Sequence, residues 1–126
     1  MLESDLEDVS AFEIESWLQT LGIQQLIEWD VLVYLYRHQS SLINAEQISH
    51  LLNYGSNLIV EALKTLESLG LVERSRASRG ARLHRLVPPV EPPCQEAFER
   101  LIGLKNAHPV RRLLARRRYR GNVEHE

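Results

Sequence analysis

Three residues, Asn53-Tyr54-Gly55, separate two apolar runs of helical spacing, INAEQISHLL (43–52) and SNLIVEALKTLESLG (56–70). So short a break leaves room only for a tight turn, and Gly55 suits a turn residue with positive φ. Asn44 is placed to cap the first run by accepting from the Gln47 N–H, while the Gln47 side chain reaches back. Ile43 and Ile48 flank that cap as a hydrophobic staple. In the second run Ile59, Ala62, Leu63, Leu66 and Leu69 recur at helical intervals and predict the inward face, with Gly70 as the C-terminal cap.

After Gly70 the period changes. LVERSR and ARLHRLV are β-compatible runs joined by Ala77-Ser78-Arg79-Gly80, so a hairpin is expected. Five arginines lie between residues 74 and 85, in a chain of net charge −2. PPVEPP (88–93) then stops regular structure. Upstream, IQQLIEWDVLVYLYRHQ puts Leu26, Trp29, Leu32 or Val33, Leu35 and Tyr36 on one broad face, which predicts a buried central helix. Before it, DLEDVSAFEIESWLQT spaces Leu6, Val9, Phe12 or Glu13, Trp17 and Leu18 as an amphipathic helix over 5–20, ended near Gly22. After the prolines, CQEAFERLIGLKN resumes helical spacing through Phe98, Leu101, Ile102 and Lys105. Pro109 opens a last helix, VRRLLARRRYR, with Val110, Leu113 and Leu114 apolar.

The expected class is therefore mainly α with a small β-hairpin. An N-terminal helical arm occupies 1–22, a central domain 23–88, and a C-terminal helical arm with a basic tail 89–126.

With 44% apolar and 25% charged residues the chain has the composition of a globular protein. No apolar run approaches the roughly 18 residues that span a bilayer. MLESDLEDVS has no basic region followed by an apolar block, so no secretory signal is expected. The single cysteine, Cys94, fits a reducing compartment, and a cytoplasmic location is expected. Charge is polarised: Met1 to Tyr36 holds eight acids and no lysine or arginine, whereas Arg111 to Arg120 holds six arginines.

Enzyme signatures fail. Gly55, Gly70 and Gly80 are isolated, no GxSxG surrounds Ser56, and His38, His50, His84, His108 and His125 are dispersed. Each histidine reads as a surface residue, and Trp17 and Trp29 read as core or interface residues. No catalytic residue, metal or cofactor is expected.

The run WDVLVYL, INAEQISHLL, SNLIVEALKTLESLGLVERSR and RGARLHRL, over about residues 26–88, resembles the DNA-binding core of MarR-type transcription regulators. IVEALKTLESLGLVER is also similar to the GntR-type recognition helix. The resemblance implies a winged helix-turn-helix and a role for each part. The helix from Ser56 would enter the major groove, exposing Ser56, Asn57, Leu58, Val60, Glu61 and Lys64. Asn57 would pair with adenine, and Leu58 or Val60 would pack on a thymine methyl. Ser56 would hold a phosphate, Arg79 at the wing tip would enter a minor groove with Arg76 and Arg82 flanking it on the phosphates, and Arg74 is a further DNA-binding candidate. It implies a homodimer on double-stranded DNA, paired through the N- and C-terminal helices, with no membrane partner and no small-molecule effector assigned. Two alternatives stay open. Both arms can fold back on their own core, and the same domain can be a protein–protein interaction module, since Leu58, Val60 and Glu61 stand where a base reader favours donors.

Overall fold

The computed structural model describes residues 10–39, 43–75, 83–104 and 108–125, with side chains up to Arg116 in the last span. They form helices α1 (Ala11–Leu21), α2 (Leu26–Arg37), α3 (Ala45–Leu52) and α4 (Ser56–Ser68), strands β1 (Val72–Arg74) and β2 (His84–Leu86), and helices α5 (Pro92–Ile102) and α6 (His108–His125). The class is mainly α with a two-stranded antiparallel sheet. Among the described residues no helix is long and apolar enough to cross a membrane. Contacts divide the chain between Leu26 and Ile27 and again between Pro89 and Val90, so the two terminal arms belong to one unit and Ile27–Pro89 to another.

In the unit of the terminal helices, α1 starts at Ala11 because Ser10 and Glu13 close a capping box. The Glu13 N–H donates to Ser10 Oγ at 3.1 Å, and the Ser10 N–H donates to Glu13 Oε1 at 3.4 Å. Leu6 and Val9 lie outside the described residues. The inward face is Ile14, Leu18 and Leu21. Phe12, expected near that face, is 82% exposed, and Trp17 is only half-buried. Gly22 adopts φ 88°, and the Ile23 N–H reaches back to the Leu18 carbonyl at 3.0 Å, ending the helix where a glycine was expected to.

Helix α5 begins at Pro92 rather than Cys94, because proline in the first turn loses no intrahelical hydrogen bond. It buries Ala97, Phe98 and Leu101, while α6 buries Val110 and Leu114. Ile102 and Leu113 are half-buried, and Lys105 lies outside the described residues. Helix α1 packs mainly against α5 and also against α6. The apolar stripes of the two arms are thus covered within a single chain.

In Ile27–Pro89, α2 buries Ile27, Glu28, Trp29, Val31, Leu32 and Leu35, a face broad enough for the central helix expected; Tyr36 stays at the surface. Asn44 caps α3 as the sequence indicates: the Gln47 N–H donates to Asn44 Oδ1 at 2.8 Å and the Asn44 N–H to Gln47 Oε1 at 3.1 Å. Ile43 and Ile48 on either side are buried.

The turn to α4 differs from expectation. Asn53, not Gly55, takes the left-handed conformation, at φ 62°. Asparagine tolerates it because its short polar side chain bonds locally. Gly55 sits at φ −61°, ψ 144° as the N-cap of α4. Helix α4 buries Ile59, Ala62, Leu63 and Leu66, each large aliphatic contributing roughly 1.5–3 kcal/mol. Leu69 falls outside that face and is 36% exposed. Gly70, at φ 80°, closes the helix as expected, with Gly70 N–H to Glu67 O and Leu71 N–H to Leu66 O, both at 3.0 Å.

The sheet pairs Val72 with Leu86, Glu73 with Arg85 and Arg74 with His84. Val72 and Leu86 point inward, and His84 takes the next inward position on β2, where it is buried rather than at the surface. Ile43 adds an isolated antiparallel bridge to His84: His84 N–H donates to Ile43 O at 2.8 Å and Ile43 N–H to His84 O at 3.2 Å. β2 therefore lies between β1 and the residue that precedes the cap of α3. The connecting residues 76–82 lie outside the described residues.

Candidate functional site

At about 100° per residue, the four buried positions of α4 cluster on one side. The opposite side is centred on Asn57, Glu61, Lys64 and Ser68, all exposed. Leu58 (49% exposed) and Val60 (38%) lie on opposite flanks of that face, about 160° apart, so they do not merge into one apolar patch. Ser56 stands at the N-terminal tip. Gly55 lends no side-chain acceptor there, which leaves the Ser56 and Asn57 amides without intrahelical partners. All six candidate residues of the helix are therefore at the surface, with Asn57, Glu61 and Lys64 along its middle.

Several hydrogen bonds fix how α4 is presented. The Tyr54 hydroxyl donates to Asp30 Oδ2 on α2 at 2.6 Å, and Ser49 Oγ donates to the Tyr54 carbonyl at 2.5 Å. The Asn53 N–H donates to Ser49 O at 2.9 Å. The turn is thus tied to α3 on one side and to α2 on the other. A sequence reading that takes Tyr54 only as part of a break misses this, although an aspartate inside the apolar run of α2 is a signal that something must meet it.

Arg74 is placed by the pleat. Cross-strand partners share a face, and residues two apart share it too. Arg74 therefore lies on the same side of β1 as inward-facing Val72. There its Nε meets Glu67 Oε2 of the last turn of α4 at 3.2 Å. Glu73 and Arg85 fall on the outer side, where Arg85 Nε donates to Glu73 Oε2 at 2.6 Å. Two of the five arginines of the 74–85 segment are thus paired with acids. Arg76, Arg79 and Arg82 lie outside the described residues.

The described electrostatics are balanced rather than positive. Glu61 lies one turn from both Asn57 and Lys64, and Lys64 has no ion-pair partner among the described residues. Beside the tip of α4, an open groove of about 600 Å³ runs along Asn44, Glu46, Gln47, His50, Leu51 and Ser56. Leu51 is 64% exposed at its edge. In comparison with known proteins, no family model and no curated protein matches the chain.

Proposed function

We propose that this chain is a winged helix-turn-helix transcription regulator of the MarR-like kind, binding duplex DNA in the cytoplasm as a homodimer. The observation that carries the reading is α4 itself. It is an exposed helix with a polar midline, entered through a turn hydrogen-bonded to two other helices and followed at once by a hairpin whose inner strand bridges to Ile43. A reader helix needs to be rigidly presented and polar where it meets base edges.

In this reading Asn57 makes paired hydrogen bonds to adenine, Glu61 accepts from a cytosine amino group, and Lys64 meets guanine or phosphate. Ser56 and the adjacent amides hold a phosphate. Leu58 and Val60, on separate flanks, each pack on a thymine methyl. Arg79 reaches a minor groove with Arg76 and Arg82 on the phosphates. Arg74 acts differently from its three neighbours, holding the hairpin against α4 through Glu67.

Selection of bound duplexes from a random library tests the reading. A recovered motif with two half-sites about 34 Å apart is the expected result; an unenriched pool would sink it. Sedimentation of the free protein tests the dimer. Because the arm stripes are covered within one chain, a dimer must use other surface, and among the described large apolar residues of that unit Phe12 and Val90 are more than 80% exposed.

A second reading, a protein-interaction module, is favoured by Glu61 crossing the polar face and by exposed Leu51, Leu58 and Val60. Its discriminating measurement is a pull-down with Leu58→Asp and Val60→Asp separately. A partner lost with only one variant identifies the flank it uses, and a partner that survives both removes this surface.

A further inference from the structure

Helix α6 turns Val110 and Leu114, both fully buried, to its own unit and leaves His108, Arg111, Arg112, Ala115 and Arg116 exposed on the other side. Arg111 and Arg112, with His108, Ala115 and Leu26, line an open groove of about 320 Å³. His108 and Arg111 are engaged within the chain, so the reach of this face rests on Arg112 and Arg116.

The local physics opposes this arrangement. The first turn of α6 contains no acid, and cations there face the positive end of the helix dipole. Arg112 and Arg116 are a like-charge i,i+4 pair. No acidic residue occurs between Glu99 and Glu124 to relieve them along the chain. The neighbouring helix shows the ordinary solution for a solvated face: on α5, Arg100 meets Glu96 at i,i+4, 3.6 Å away. Solubility alone is served by mixed signs, as on α5. A face that breaks the local rules with one sign only is relieved when a polyanion covers it.

We propose that the outward face of α6 is an anchor for the phosphate backbone of duplex DNA, indifferent to sequence. Every cation between His108 and Arg120 other than histidine is arginine, whose planar fork matches phosphate oxygens. The described part of the face carries no large apolar side chain outward; its middle is Ala115. An acidic protein partner would need an aromatic or aliphatic anchor there, whereas a phosphate backbone needs none. The inference rests on the chain being a duplex-DNA binder, but not on α4 being the element that reads bases.

The test uses the full chain, with random-sequence duplex and one selected duplex titrated over a salt series. Arg112→Gln with Arg116→Gln should lower affinity for both duplexes alike and flatten the log–log salt slope by about 1.8 per protomer bound, at about 0.9 per phosphate contact. Between 50 and 200 mM salt the variant then loses roughly tenfold less affinity per protomer bound than the parent. Arg112→Lys with Arg116→Lys should restore the slope, which separates lost charge from lost folding. An unchanged slope in the glutamine variant overturns the proposal, as does a parent that binds no duplex at low salt. So does a polyglutamate peptide that binds the parent more tightly than duplex does and loses that binding in the glutamine variant, which would make the occupant an acidic protein. If the slope changes as expected while the parent shows no sequence preference, α4 fails as the reader and α6 stands.

Discussion

Along the outward side of α4, an amide, an acid and an amine follow one another at Asn57, Glu61 and Lys64, while along the outward side of α6, among the described residues up to Arg116, the charged groups are of one sign. The two helices are also held differently. α4 is entered through a turn with hydrogen bonds to Ser49 and Asp30 and closed by Gly70. α6 has buried Val110 and Leu114 beneath it and no acid in its first turn. A face of mixed donors and acceptors gains nothing from a uniform polyanion but can distinguish one arrangement of partners from another. A face of one sign binds strongly and distinguishes little. The contrast therefore separates selectivity from grip, and it can be broken by measurement.

The largest expected effect concerns whether the two faces rest on separate cores. Leu66 is fully buried in the unit containing α4, so Leu66→Ala should destabilise it by about 2–5 kcal/mol. Amide hydrogen exchange should then accelerate in α4 and its neighbours within Ile27–Pro89 and leave α1 and α5 protected. Equal loss of protection in α1 and α5 would show that the two units unfold as one and that their faces are not independent.

Next comes the proposed reader, if α4 meets duplex DNA. Asn57→Ala should cost about 1–3 kcal/mol of discrimination at one base position. It should leave the salt slope unchanged, since an amide to base edges releases no counterion. If affinity falls equally on every duplex, Asn57 is a backbone contact and the mixed face of α4 is not the source of selectivity.

Presentation of that face gives the third prediction. Tyr54→Phe removes the hydrogen bond to Asp30 and should cost about 1–2 kcal/mol, less than a fully buried charged pair because both residues are only part-buried. Discrimination should fall with it, because the turn no longer fixes α4 relative to α2. A Tyr54→Phe protein of parental stability would assign the positioning to Ser49 and Asn53 instead.

How much of this was legible in the sequence follows from range. Caps are local, so Asn44 with Gln47 and the glycines at 22 and 70 could be placed from three or four residues. The Ser10–Glu13 box was equally local, and an apolar pattern extended back to Asp5 obscured it. Pairings across the fold were not legible. Nothing near Arg74 in the chain indicates that the pleat turns it to Glu67, or that Ile43 bridges to His84. On α1 the stripe drawn through Phe12, Trp17 and Leu18 passes over Ile14, yet Ile14 is buried with Leu18 and Leu21 while Phe12 is exposed. The bulky aromatics of an exposed to half-buried flank do not mark the face that packs. At the turn, the sequence favours the glycine for the unusual backbone, and the asparagine two residues earlier adopts it.

That exchange yields the smallest expected effect and a sharp use of it. Gly55 has no strained conformation to protect, and a Cβ there would meet nothing within 4 Å. Gly55→Ser places a hydroxyl oxygen at an N-cap that has no side-chain acceptor, and should stabilise the protein by a few tenths of a kcal/mol, read as a small rise in thermal midpoint. The same hydroxyl occupies one of the first-turn amides that a DNA phosphate would otherwise accept from. If the tip of α4 holds a phosphate, Gly55→Ser should therefore raise stability while lowering duplex affinity slightly and equally across sequences. Opposite signs from one substitution are hard to obtain by accident. A variant that is both more stable and unchanged in affinity would confine the contacts of α4 to its midline, and leave the backbone of the duplex to the hairpin and α6.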